Sequence, residues 1–541
     1  MIRATIALFL AGCTAALADG TKPQAPLFDG LGKLHHPVTT SSKMAQRYFD
    51  QGLSLCYAFN HTEAIRSFET AARQDSNLAM AWWGVAYAYG PHVNKPMSKD
   101  DNDNAWAALR KAMELRSNAS PQEQAYITAL RTRYQEKFAE DRLALDKAYA
   151  AAMRNVAKAY PDDLDAQTLL AEALMDTMPW DYWQKDRSPK PETEEANAAL
   201  RYVIARNPDH PGANHFYIHA VVAGPQPELA LPSADRLLNY APQAGHLVHM
   251  PSHIYMRVGQ YDDAIKANQR AVKADQSYIR HCRAQGFYPG AYYPHNAYFL
   301  WYAYLFQGRV GDALDAAKMV AENALENYCG PKKALEGARV RHLPWLTLAR
   351  FGRWDDVLKV QQPPATNDFL IDRAMWHYTR GLAFAAQQQQ VDAKREYAAL
   401  TKLVNSDEAK KLDNPHFPAT SVLKIVDHLL AAKVAADSKV AIAELEKAVA
   451  AEDALPYMEP AYWPIPTRPT FGAALLQSGD AAKAEEVFRE DLKRWRRNGL
   501  SLFGLEQALR KQGKTQAADS VHRELEQSWK RADAKPDLAW F

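Results

Sequence analysis

Cysteine is nearly absent, four in 541 residues, and none stands in a C-x-x-C arrangement. That removes thiolate zinc motifs and covalent haem attachment. Beyond the first twenty residues no apolar run reaches the ~18 residues that cross a bilayer, so the body of the chain carries no membrane span. A dominant charge is missing as well. The formal net charge is +2 with 24% charged residues, and no dense Lys/Arg tract marks a nucleic-acid partner. The most basic stretch, "LKRWRRNG" (492–499), reads as the solvated end of a helix. There is no P-loop, no dinucleotide fingerprint, no G-x-S-x-G elbow and no H-E-x-x-H. Sustained strand-like alternation is also lacking, which excludes a β core.

The N-terminus, in contrast, is rich in signal. "MIRATIALFLAGCTAALADG" has one early Arg, an apolar run and small residues, the pattern of a secretory signal. Two cleavage readings stand. "ALA" before Asp19 fits an A-x-A site, giving a signal at 1–18 and a periplasmic or secreted chain, whereas "LAGC" (10–13) resembles a lipobox that would leave Cys13 lipid-anchored. In an oxidising compartment Cys282 is expected to pair with Cys329, or all three later cysteines stay as thiols.

Apolar residues recur at spacings of three and four throughout, so the fold class is all-α. "DQGLSLCYAFNHTEAIRSFETAARQDSN" (50–77) sets Gly52, Ala64, Phe68 and Ala71 at offsets of 12, 4 and 3. The frame recurs as Gly381, Ala393, Tyr397, Leu400 and as Gly472, Ala484, Phe488, with weaker copies from Gly84, Ile218, Ser252, Trp301 and Trp345. This resembles the tetratricopeptide repeat (TPR), a helical hairpin of about 34 residues. The resemblance implies a right-handed superhelical solenoid with a concave groove. "HLVHMPSHIYMRVGQYDDA" and similar segments also resemble exported bacterial TPR proteins, a likeness that carries no reaction. The expected organisation is a leader at 19–42, N-terminal hairpins at 43–115 and hairpins with an insertion at 116–210. A central array at 211–400 and C-terminal hairpins with a capping helix at 401–541 complete it. Insertions are expected at 91–104 and 180–195, both rich in proline and charge.

By the same resemblance the second, fifth and ninth places of each repeat face the groove. Four consecutive frames give Gly212, His246, His295 and Arg339 in the second place, and His215, His249, Tyr298 and His342 in the fifth. In the ninth stand His219, His253, Tyr302 and Leu346. Seven of these twelve are histidine, from 17 in the chain; random placement would put fewer than one there. Histidines at i and i+4 share a helix face, and pairs on neighbouring helices can surround one ion. Neutral imidazole suits copper, zinc and iron, and without soft sulfur ligands copper and zinc lead.

The leading expectation is therefore an exported TPR protein that binds a transition metal through His215, His219, His246, His249, His253 and His295. Tyr298, Tyr302, His342 and Arg339 would surround them. A second reading is a metal-dependent hydrolase or oxidase at the same cluster, with Glu172 of "LLAEALMDTMPW" as acid/base. A third is a metal-free groove that holds a peptide or partner protein. Pro251 should kink its helix or shift its start, and in the latter case His246 leaves the shared face. "EPAYWPIPTRP" (459–469) is either a rigid connection or a loop that closes over the groove with Glu459, Trp463 and Arg468. The remaining histidines fall in no column and read as structural or surface residues, with His92 intermediate.

Overall fold

The computed structural model describes residues 24–282, 288–327, 337–414 and 417–541. The export signal, Cys13 and the Cys282–Cys329 pairing lie outside the described residues. Within them the chain is helical, with three isolated bridges and no strand. Antiparallel helical hairpins follow one another, as in Lys43–Tyr57 with His61–Gln74, Pro211–Val222 with Leu231–Tyr240, and Tyr293–Phe306 with Val310–Asn327. It is an all-α solenoid of tetratricopeptide type.

The repeat frame has a visible packing cause. A Cβ at Gly52 would sit 2.6 Å from the Phe68 ring, and one at Gly84, on the next hairpin, 2.5 Å from it. Phe68 thus fills the space between two hairpins whose backbones approach only because both facing residues are glycine. Gly472 and Gly504 enclose Phe488 in the same way. Ala64, Ala71, Phe68 and Phe488 are fully buried.

Two features depart from the expected organisation. The insertion at 91–104 is shorter, because Ser98 and Asp101 form a capping box that starts a helix at Lys99. The acidic run "DDND" then lies in the first turns, where the helix dipole favours it. The extended leader packs onto the hairpins: its amides at Ala25, Phe28, His36 and Thr39 donate to Thr70, Gln51, Asp50 and Glu123. Finally, no capping helix follows Thr515–Ser528; the next element is the short turn Leu538–Trp540. The end of the array instead closes onto its middle. Trp529 Nε1 donates to Phe306 O at 2.8 Å, Asp533 accepts from the Val310 and Gly311 amides, and Tyr261 OH donates to Arg496 O at 2.6 Å.

On the groove side lies an open cavity of about 2280 Å³. The connections 91–97 and 179–187, the segment 453–462 and the groove side of the central array all line it.

Candidate metal centre

His215 and His219 lie one turn apart on helix Pro211–Val222, which is buried on every side. His210 caps this helix: its Nδ1 accepts from the Ala213 amide. On the next hairpin, His246 and His249 belong to Gly245–His249 and His253 to Pro251–Val258. The lost proline N–H divides the element into two stretches, but Met250 between them keeps α-helical torsions (φ −50°, ψ −38°). His246 therefore stays on the groove side. His295 opens helix Tyr293–Phe306.

The six histidines sort into two triads. His215, His219 and His246 each direct a ring nitrogen to within 4.8 Å of the others, and so do His249, His253 and His295. His246 thus joins the pair on the neighbouring hairpin rather than the one on its own helix. The His215 and His219 Nε2 atoms are 3.1 Å apart, and those of His249 and His253 are 2.9 Å apart. Two nitrogens at such separations subtend roughly 90–100° at an ion bonded to both at about 2.0–2.1 Å.

Acceptors behind the rings fix their tautomers. His215 Nδ1 donates to Tyr57 O at 2.7 Å, and His249 Nδ1 to Asn268 Oδ1 at 2.6 Å. Asn268 is held in that orientation because its amide nitrogen donates to Ala264 O at 2.8 Å. His253 Nδ1 donates to the Glu459 carboxylate, whose other oxygen accepts from Tyr457 OH. With both Nδ1 atoms protonated, His249 and His253 turn Nε2 lone pairs toward each other at 2.9 Å. Such a pair requires a cation between the rings, a shared proton or a metal ion. Imidazoles whose outer N–H meets a carbonyl or carboxylate are the usual form of metal-ligating histidine.

Protonation is opposed elsewhere in the cluster. Burial, together with the neighbouring histidines, pushes His219, His246 and His295 well below the ordinary histidine range. His249 falls for the same reasons despite Asn268, and His215 falls to about 3, chiefly by burial. They are neutral imidazoles at neutral pH, the ligand form. Both ring nitrogens of His246 and Nδ1 of His219 are buried without a hydrogen-bond partner, a cost of about 1–3 kcal/mol per polar group unless something binds there.

Each triad rests on one phenyl ring. Phe59 lies 4.5, 5.8 and 5.3 Å from the His215, His219 and His246 rings. Phe299 lies 4.9, 4.5 and 4.9 Å from those of His249, His253 and His295. Phe59 has a left-handed backbone (φ +54°), as has Trp180 (φ +63°), whose ring meets His219 edge-on at 5.2 Å. Non-glycine residues held so are costly and cluster at functional sites.

The other expected residues fall elsewhere. Tyr298 is buried and lines the cavity, and Tyr302 packs on Trp495 with its hydroxyl unpartnered. Arg339 lies over the Phe417 and Tyr462 rings. His342 stands at the N-cap position of Leu343–Arg350 without a side-chain capping bond, outside both triads. Glu172 belongs to a separate buried network: it accepts from Tyr87 OH, and Arg133 beside it pairs with Asp176 at 2.6 Å. The carboxylate that meets the histidines is Glu459, on the loop 455–467 that closes over the groove. Trp463 of that loop is buried in the core, and Arg468 pairs with Asp453. Phe59 and Asn268 carried no sequence signal. Both act through tertiary placement alone.

The site therefore belongs to an all-α hairpin-repeat scaffold. No family profile and no curated protein matches the chain. Among solved structures it is similar to the human IFIT1 dimer with m7Gppp-AAAA, at 12% identity over 90% of each chain and a TM-score of 0.30. It is also similar to a chain of the APC/C hetero-tetramer Cut9–Hcn1, at 12% identity over 92% of this chain and 80% of that one, TM-score 0.32. Likeness at this level says nothing of ligands.

Proposed function

We propose that the protein binds a transition metal, copper or zinc with iron as the remaining fit, through His215, His219, His246, His249, His253 and His295. The observation that carries the reading is the pair of facing Nε2 atoms at 2.9 Å between His249 and His253, whose outer nitrogens are already committed to Asn268 and Glu459. The nitrogen-only donor set favours copper over zinc by the usual affinity order. A metal-free peptide groove would leave the unpartnered nitrogens of His246 unexplained. Residues 1–18 as an export signal set this binding outside the cytoplasm. A mature N-terminus at Asp19 or a lipid-modified Cys13 tests that assignment.

Elemental analysis of tag-free protein tests the binding. The wild type is expected to carry bound copper or zinc, and His215→Ala and His249→Ala each to lose most of the ion from their own triad. Wild-type protein with no ion above trace after metal loading sinks the proposal. Chemistry at the ion is a second reading, favoured by the place of His219, His246, His253 and His295 along the cavity wall. An acid/base group for it would be Glu459 through His253, since Glu172 is held by Tyr87.

A further inference from the structure

Building on the metal-binding reading, we infer that the two triads hold two ions that work as one dinuclear centre, bridged by a small exogenous anion or dioxygen-sized ligand entering from the cavity.

Separate triads first imply separate ions. Phe59 and Phe299 each underlie one triad, so the two sets of imidazoles converge above different rings. The triads are nevertheless neighbours. Across them the His246 and His249 rings are 5.9 Å apart, and the His219 and His253 rings 6.1 Å. Ring separations of this size suit the ~3.5–4 Å ion spacing of known two-metal sites.

Three imidazoles leave a copper or zinc ion at least one coordination position short. The phenyl rings obstruct one side of each triad. His219, His246, His253 and His295 border the cavity, whereas His215 and His249 stand behind them. The open positions therefore face the cavity and each other.

What fills them must come from outside the chain. Neither triad includes a carboxylate or thiolate among the described residues, and Glu459 spends both oxygens on His253 and Tyr457. Two divalent ions held by neutral imidazoles would leave a large positive charge in a buried site. An anion shared between them offsets it at the least distance from both.

Copper(II) and azide are suitable probes, read on the full mature chain by equilibrium dialysis, electron paramagnetic resonance and absorption. The expected result is two copper ions per chain with a resonance intensity far below that of two isolated ions. One azide per two coppers should give a new charge-transfer band. His246→Gln and His295→Gln, each verified as folded by circular dichroism, should hold one tight ion and recover the full resonance of an isolated copper. One ion per wild-type chain overturns the dinuclear centre, as do two ions with undiminished resonance or one azide on each ion. Those outcomes leave the metal-binding reading standing. A wild-type chain that takes up no copper and no zinc overturns both.

Discussion

Two regions of this molecule bury histidines and give them opposite surroundings. Where the leader packs, its His36 Nδ1 meets Asp165 Oδ2 at 2.8 Å, and His210 Nε2 and Tyr57 OH reach the other carboxylate oxygen at 3.1 and 2.6 Å. In the groove, six histidines surround one another with no carboxylate among the ligand atoms. Burial lowers His36 too, but the Asp165 hydrogen bond and charge, with Asp163 and Asp50, outweigh it and raise the group to about 9. His215, backed only by a carbonyl, falls to about 3. Burial is common to both regions, so the neighbour decides whether an imidazole is held as a cation or kept neutral.

The largest expected effect comes from breaking the leader region. Asp165→Asn leaves His36 buried without its counter-charge, which costs about 3–5 kcal/mol for a buried pair. Denaturant unfolding would measure this. Metal content per folded molecule should stay near wild type, and a parallel loss of metal would mean that the two regions are one functional unit. The pH slopes should also oppose each other. His36 is raised in the fold, so its contribution is full below the unfolded value near 6.5 and is lost as pH rises through about 9. His215 is lowered, so the unfolded chain takes up its proton first and apo-protein stability declines as pH falls from about 6.5 toward 3. Proteolysis of the leader in wild type should therefore accelerate above pH 9, a dependence that Asp165→Asn abolishes.

Next in size is ligand removal. His215→Ala should weaken metal binding at its triad by ~100-fold or more, and His36→Ala should leave it within about twofold; competition with a metal-chelating dye distinguishes them. Equal losses in the two variants would erase the distinction. Behind the ligands, Glu459→Gln and Asn268→Leu alter the acceptors of His253 and His249 and should cost roughly 10–100-fold in affinity. The Gln variant keeps a hydrogen bond and should sit at the mild end.

Much of the groove was legible because the 34-residue period is itself the inter-hairpin spacing. His215 and His219 recur as His249 and His253 at equivalent places on adjacent helices, and Gly52, Phe68 and Gly84 disclose the packing unit. Pro251 obscured His246, since sequence says that a helix must lose a hydrogen bond there but not that Met250 stays helical. The division into triads was hidden, because the frame sets His246 on one helix with His249 and His253 and in one column with His295, while packing turns it to His215 and His219. Glu459 stands 206 residues from His253 and arrives only through closure of the array. Further along, the columns drift: His342 becomes the N-cap of its helix instead of an interior position.

The smallest expected effect concerns Glu172, the carboxylate that its sequence position nominates. It is buried with its hydroxyl donor Tyr87 and the Arg133 guanidinium, and burial pushes its carboxyl above the usual range despite both. It shares no hydrogen-bond partner with either triad, so a substitution there should act on stability and not on the ions. Groups without shared partners usually combine within ~0.3–0.5 kcal/mol, about a factor of two in affinity. Glu172→Gln is thus expected to change copper affinity by no more than about twofold, while losing stability because Arg133 keeps its buried charge with one anion fewer nearby. The pairing of Glu172→Gln with Glu459→Gln is the sharpest form of the comparison, since the same chemical change is made at two buried carboxylates. A tenfold loss at position 172 and none at 459 would move the acid/base partner of the histidines back to helix Leu164–Met175 and leave the loop 455–467 as a structural cover only.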